Sequence, residues 1–223
     1  MVDKKEKAEY IATDRIDSDS SELWILSYVP SDDKTETYTV RFDNGEILEV
    51  SAEEFFENSL YETERPVGIS FGELVYKVYS KRAFYEGVRF VLFSKKTVSQ
   101  VHDHLSGLGF DEDCRDYAVK SLTEEGYLDD VTYTQKFIRK AVDSRIVSCM
   151  MIVCELKQKG IEENVVRECL ADMDIDDIYL AKRAVAKKTA VGVNDTVKIR
   201  RFLMGKGFTG EAIRKALGSD DFE

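Results

Sequence analysis

The sequence predicts a mostly α-helical protein: three tandem three-helix, helix-turn-helix-like repeats stacked as an array, preceded by a small antiparallel β module. Three observations carry this. A ten-residue pattern, apolar-x-x-x-Leu-x-x-x-Gly-apolar, occurs at Val101–Phe110, Ile152–Ile161 and Ile199–Phe208, with offsets of 51 and 47 residues. The two prolines of the 223-residue chain are Pro30 and Pro66, so no proline beyond them interrupts a helix. The apolar–polar alternation that marks strands is confined to the front of the chain, before Ser51.

The β module comes first. Residues 1–21 are polar without a sustained period and are expected to be a loose tail or an early edge strand. Trp24–Val29 has strand composition. Lys34–Phe42 alternates, with Thr35, Thr37, Thr39 and Arg41 on one side and Tyr38, Val40 and Phe42 on the other. Asp43-Asn44-Gly45 supplies a hairpin turn, and Ile47–Val50 returns. Ser51-Ala52-Glu53-Glu54 is a capping box that opens a short helix through Phe55 and Phe56. So small a sheet needs a partner, which the helices after it should supply. Asn58–Gly68 is a connection, and Ser70-Phe71-Gly72-Glu73 is a second capping box.

From there the pattern is helical to the end. In each copy of the repeat, leucine points inward four residues after another apolar position. Glycine then ends the helix in the left-handed conformation, and the next Phe or Ile folds back as the hydrophobic contact of that cap. A helix precedes each copy, at roughly 81–93, 129–143 and 174–189, and another comes after it, at roughly 112–124, 162–170 and 210–217. The Gly126-Tyr127-Leu128-Asp129-Asp130 stretch shows the junction best. Gly126 closes one helix, Asp129 caps the next, and Leu128 and Tyr133 are spaced as a hydrophobic staple. Tyr133, Phe137 and Ala141, joined by Ile138 and Val142, form the apolar face of that helix. The expected division is an acidic tail and β module over 1–70, then repeats over 71–128 (with a lead-in helix), 129–172 and 173–223. Each repeat leaves an apolar face for its neighbour to cover, as in a quasi-one-dimensional array.

Composition bounds the chemistry. No apolar run approaches the roughly 20 residues of a membrane span, and Met1 leads into Lys4-Lys5-Glu6-Lys7 with no apolar core of a signal peptide. A cytoplasmic location without membrane contact is therefore expected. Cys114, Cys149, Cys154 and Cys169 lie inside helical patterns without CxxC spacing, so they read as buried thiols rather than metal ligands. His102 and His104 are two apart on a helix and point in different directions, unlike the i, i+4 pair of a zinc site. Gly205-Lys206-Gly207 lacks the full phosphate-loop pattern and sits at a helix end. Asp129 and Asp130 are accounted for as helix-start residues. No catalytic, metal or cofactor site assembles, and a non-enzymatic protein is expected.

Charge is distributed unevenly. The net charge is −11, yet residues 1–70 carry −11, residues 71–180 carry −5 and residues 181–223 carry +5. Between 181 and 215 ten basic residues meet two acidic ones, Asp195 and Glu211. The ten are Lys182, Arg183, Lys187, Lys188, Lys198, Arg200, Arg201, Lys206, Arg214 and Lys215. Scattered Lys and Arg usually mean a solvated face. Clustering over three consecutive helices points instead to contact with phosphate or an acidic protein surface. Arg139, Lys140, Arg145, Lys157 and Lys159 extend the candidate surface through the middle repeat.

Several of these segments together resemble a known family. Gly126-Tyr127-Leu128-Asp129-Asp130, Phe137, Arg145, Glu155 to Ile161 (Glu-Leu-Lys-Gln-Lys-Gly-Ile) and Val197 to Phe208 are similar to the RecX family, regulatory proteins of the RecA recombinase. The resemblance spans about residues 71–217, and the β module resembles the N-terminal extension of some members. It implies a monomeric, elongated and curved array that lies along the groove of the RecA–single-stranded-DNA filament and inhibits the recombinase in recombination and DNA repair. Direct contact with single-stranded DNA, if made, would be non-sequence-specific, since no base-reading motif is present. Many members carry a Gly-x-Gly-Pro-like turn in the middle repeat. Here Arg145 is followed by Ile146-Val147-Ser148-Cys149, so that turn is built otherwise or the two helices run closer to continuous. The alternative reading is a helical-repeat scaffold that binds an acidic protein partner without DNA.

Overall fold

A computed structural model describes residues 22–31 and 36–218. The expectations for the tail over 1–21, and for Lys34 and Thr35 at the start of the alternating strand, lie outside the described residues. The chain forms two compact units. Among the described residues, one takes in those up to Gly87 together with Leu105–Ala118, and the other comprises Val88–His104 and those from Val119 onward.

The first unit holds a three-stranded antiparallel sheet in the order β1-β2-β3, with β1 Ile25–Pro30, β2 Thr37–Phe42 and β3 Ile47–Ser51. Val40 faces Leu48 across one pair and Tyr28 across the other. The alternation sorts side chains as expected: Val40, Phe42, Leu48 and Val50 are buried while Arg41 and Glu49 are exposed. Ser51 caps α1, Ala52–Glu57, in a complete capping box with Glu54. The sheet gains its partner from α2, Phe71–Phe93, whose Leu74 and Val78 complete a core with Phe55 and Leu60. Arg82 rivets this packing. Its guanidinium donates to both Glu54 carboxylate oxygens at 2.7 Å and to the Glu49 carbonyl at 2.8 Å. α2 corrects one expectation. The lead-in segment and the helix expected from 81 are one 23-residue helix that starts at the Ser70–Glu73 capping box, since nothing between them breaks it.

The remaining helices are α3 Val98–Gly107, α4 Glu112–Glu124, α5 Asp130–Ser144, α6 Cys149–Lys157, α7 Glu163–Asp172, α8 Asp177–Ala190, α9 Thr196–Gly205 and α10 Gly210–Leu217. The three sequence copies share one terminator. Gly109, Gly160 and Gly207 have φ of 90°, 78° and 75°. The next residue donates back to the leucine carbonyl: Phe110 to Leu105 at 3.2 Å, Ile161 to Leu156 at 3.0 Å and Phe208 to Leu203 at 3.2 Å. Asp129 caps α5 through the Thr132 N–H at 2.8 Å.

In the second unit α5, α6 and α7 pack on one another, as do α8, α9 and α10. One continuous apolar cluster, from Ile138 through Leu156, Leu180 and Leu203 to Ile213, runs through both sets. The turn between α5 and α6 is built without Gly or Pro. Arg145 leaves the helix in an extended conformation, Val147 is buried, and Ser148 caps α6 by accepting from the Met151 N–H at 3.2 Å. The cysteines require a second correction. Cys114 and Cys169 are buried and Cys149 is half-buried, but Cys154 is exposed, because it falls on the outer side of α6 between the core residues Val153 and Leu156. Burial pushes the Cys114 and Cys149 thiols up to about 12. Among the described residues no helix is long and apolar enough to cross a membrane.

Candidate polyanion-binding surface

The fifteen candidate cations all lie in the second unit, and their surroundings divide them. Lys182 on α8, Arg200 and Arg201 on α9, Arg214 on α10, and Arg139 and Lys140 on α5 are exposed and make no ion pair among the described residues. Their charges are free to meet an anion.

A second set is held by neighbours. Arg145, Arg183 and Lys187 converge on a small open groove floored by Val142, Ile146, Val147, Leu180 and Ala184. Arg183 lies over the Tyr179 ring at 5.8 Å, donates to its hydroxyl at 3.2 Å and reaches the Asp143 carboxylate at 3.8 Å. Lys187 donates to the Asp143 carbonyl at 3.4 Å. Lys188 and Lys206 meet at the Phe202 ring, with their ammonium nitrogens 3.9 Å and 6.0 Å from its centroid.

A third set is matched by carboxylates. Arg145 pairs with both oxygens of Glu155, which makes it a clamp between the α5–α6 turn and α6 as well as a groove residue. Lys157 pairs with Glu163 at 3.1 Å, Lys198 with Asp195 at 3.8 Å and Lys215 with Glu211 at 2.8 Å. These contribute less to the positive field than the sequence alone implies.

The structure adds partners that sequence reasoning missed: Tyr179, Phe202 and Asp143. The first two stand at i, i+4 from Arg183 and Lys206, a spacing that could have drawn attention to them. Asp143 meets α8 only through tertiary packing.

Two lysines sit at a recurring junction. The buried Thr97 hydroxyl donates to the Lys159 carbonyl at 2.6 Å, and the neighbouring Val98 N–H donates to Asp130 Oδ1 at 3.0 Å. The buried Ser148 hydroxyl donates to the Lys206 carbonyl at 2.8 Å, and the Cys149 N–H donates to Asp177 Oδ1 at 2.8 Å. Burial raises the Asp130 carboxyl above its ordinary pKa; the Val98 N–H works against the rise and the Asp129 charge adds to it. Thr97 and Gln100 form a capping box at the start of α3, a signature visible in the sequence. His104, on the same helix, stacks on Phe90 at 3.9 Å.

No protein-family model matches the chain. Among curated proteins it is 29% identical over 107 residues to the regulatory protein RecX of Halorhodospira halophila, covering 46% of this chain and 66% of that protein. It is 32% identical over 127 residues to the regulatory protein RecX of Clostridium botulinum, covering 53% of this chain and 59% of that protein. The matches thus span somewhat less than two thirds of these relatives' lengths. A crystal structure of a regulatory protein RecX superposes with a TM-score of 0.60 at 17% identity, covering 89% of this chain and 100% of the other, a likeness of fold.

Proposed function

We propose that the chain is a RecX-type regulator, which binds the RecA–single-stranded-DNA filament and restrains the recombinase in recombination and repair; its likeness to the RecX proteins above supports this. One observation carries the reading. Lys182, Arg200, Arg201 and Arg214, on three consecutive helices that pack together, are exposed and make no ion pair among the described residues. Such charges attract the phosphates or acidic groups of a filament, and contacts repeated along the chain multiply weak affinities. Lys188 and Lys206, steadied on Phe202, add two cations with reduced freedom.

The test is recombinase ATPase on single-stranded DNA with increasing amounts of this protein, wild type and Arg200→Glu/Arg201→Glu. The wild type suppresses turnover and the variant does not. The variant's thermal stability stays close to wild type, because exposed charges contribute little to folding. No effect of the wild type at any excess overturns the proposal.

The scaffold reading keeps one point in its favour. Arg145, Lys157, Lys198 and Lys215 already have acidic partners, which thins the field a free nucleic acid would feel. Binding to recombinase without DNA, and no salt-sensitive binding to DNA itself, would favour that reading.

A further inference from the structure

The β module carries an aromatic cluster that its own core does not use up. Phe55 of α1 is buried and forms the hub. Tyr38 of β2 stacks on it at 4.1 Å, and Tyr28 of β1 meets it edge-on at 5.0 Å. Phe56, the next residue of α1, and Tyr61, in the turn that follows, close around it at 5.4 Å and 6.2 Å. Phe56 and Tyr61 also meet each other, with ring centroids 5.9 Å apart. Three of these rings stay open to solvent: Phe56 is 57% exposed, Tyr61 43% and Tyr28 40%. Single exposed apolar residues are ordinary, whereas a contiguous group of them marks a contact surface. The surroundings of this group are acidic. Residues 36–70 hold nine acidic residues and two basic ones, and Lys81 and Arg82 of α2 offset only two more. On α1 the carboxylates divide. Glu54 is taken by Arg82. Glu53 and Glu57, which stand on either side of Phe56 in the sequence, share the single ammonium of Lys81 at 3.8 Å and 2.5 Å, and their side chains remain largely open to solvent.

We infer that this surface docks a basic segment of another protein, whose Arg or Lys side chains lie on Phe56, Tyr61 and Tyr28 and whose charge is met by Glu53 and Glu57. Charge selects the partner. The excess of carboxylates repels a nucleic acid or an anionic membrane, and a wholly apolar partner would desolvate them without matching them. A guanidinium or ammonium group is attracted by both components, the negative face of a ring and the carboxylate beside it. The module uses this pairing internally. Lys81, held by Glu53 and Glu57, lies over the Tyr85 ring at 5.7 Å, and Arg82, held by Glu54, lies over the Tyr79 ring at 4.9 Å. The inference does not depend on the filament reading, which draws on the cations of the second unit.

The test uses the full chain and a fluorescently labelled peptide in which Arg alternates with Ala, read by anisotropy; the same peptide with Glu in place of Arg is the negative probe. Phe56→Ser/Tyr61→Ser removes two rings and no charge, and should weaken binding of the Arg peptide about tenfold, as two exposed cation–π contacts supply. Phe56→Tyr/Tyr61→Phe keeps both rings and should bind as wild type. Glu53→Gln/Glu57→Gln should weaken binding and flatten its dependence on salt. Glu124→Gln/Glu125→Gln removes the same charge from exposed positions outside the module and should change nothing. Circular dichroism checks folding; if the double serine variant unfolds, Phe56→Ser alone carries the test, with a loss of about threefold. No binding of the Arg peptide by the wild type, equal binding of the Glu peptide, full binding by the serine variants, or an equal loss in Glu124→Gln/Glu125→Gln overturns the inference. Tighter binding after deletion of residues 1–21 would give the surface to the chain's own Lys4-Lys5-Glu6-Lys7 segment, and self-association of the wild type that Phe56→Ser/Tyr61→Ser abolishes would give it to a second copy. Either result overturns a separate protein as its occupant.

Discussion

Replacing Gly160 by alanine should be far more damaging than the same change at Gly126, although both glycines end a helix and have nearly the same backbone conformation. Their φ values are 78° and 77°, so the cost of placing a Cβ in the left-handed region, about 1–2 kcal/mol, is common to both. The unfolded chain loses the same freedom in both cases, and that contribution cancels in the comparison. What differs is space. At Gly126 nothing lies within 4 Å of the new Cβ, whereas at Gly160 it would sit 2.1 Å from the Ser99 Cβ and 2.2 Å from the Ser99 Oγ. A Cβ is fixed to the backbone, so α3 or the end of α6 must move, an overpacking cost of about 1–3 kcal/mol. Gly126→Ala should therefore cost about 1–2 kcal/mol and Gly160→Ala about 2–5 kcal/mol, from the sum of these contributions. Urea denaturation at equilibrium measures both, and Ser99→Gly/Gly160→Ala isolates the clash as a coupling energy. Ser99→Gly should recover most of the difference, while Ser99→Ala, which keeps the Cβ, should recover none. Equal losses at the two glycines, or strict additivity in the double variant, would refute the reasoning.

Three further outcomes are expected from buried and charged groups. Thr134 is fully buried and its hydroxyl has no partner among the described residues, so Thr134→Val should raise stability by about 1 kcal/mol in the same urea titration. Burial pushes the Glu54 carboxyl up, but bonds from the Arg82 guanidinium and the Ser51 amide outweigh that and hold it below its ordinary 4.5. A depressed acid stabilises the fold above its unfolded pKa, so this contribution is present above about pH 4.5 and fades as pH falls through the depressed value; Glu54→Gln should flatten the acid limb of a stability–pH profile. Thiol labelling at neutral pH should strike the exposed Cys154 first and leave Cys114 and Cys149, pushed up to about 12, unmodified until the protein unfolds.

Much of the fold was legible because its determinants are local. Capping boxes at Ser51 and Ser70, the Asp129 cap, and the Leu-x-x-x-Gly-apolar terminators act within a few residues of themselves, so their spacing survives in a one-dimensional reading. The strand faces were legible for the same reason: alternation put Val40 and Phe42 inward whatever covered them. The continuity of α2 was not, because ten residues of weakly patterned helix look like a separate lead-in until a packed β module stabilises them as one piece with the later turns of the same helix.

The candidate surface divides in the same way. Composition and periodicity alone identify the cationic residues, the clustering of ten of them near the C-terminal end, and the threefold recurrence of a ten-residue pattern. Which of those charges are available is a matter of tertiary packing. Pairing of Arg145 with Glu155, the approach of Lys187 to Asp143 and the packing of Lys188 on Phe202 depend on distances between helices and turns. So do the Thr97–Lys159 and Ser148–Lys206 bonds, which join residues 62 and 58 positions apart. A sequence pattern describes how one helix presents its side chains, whereas a hydrogen bond or ion pair between helices requires a particular separation, and that separation is set by the packing of the whole core.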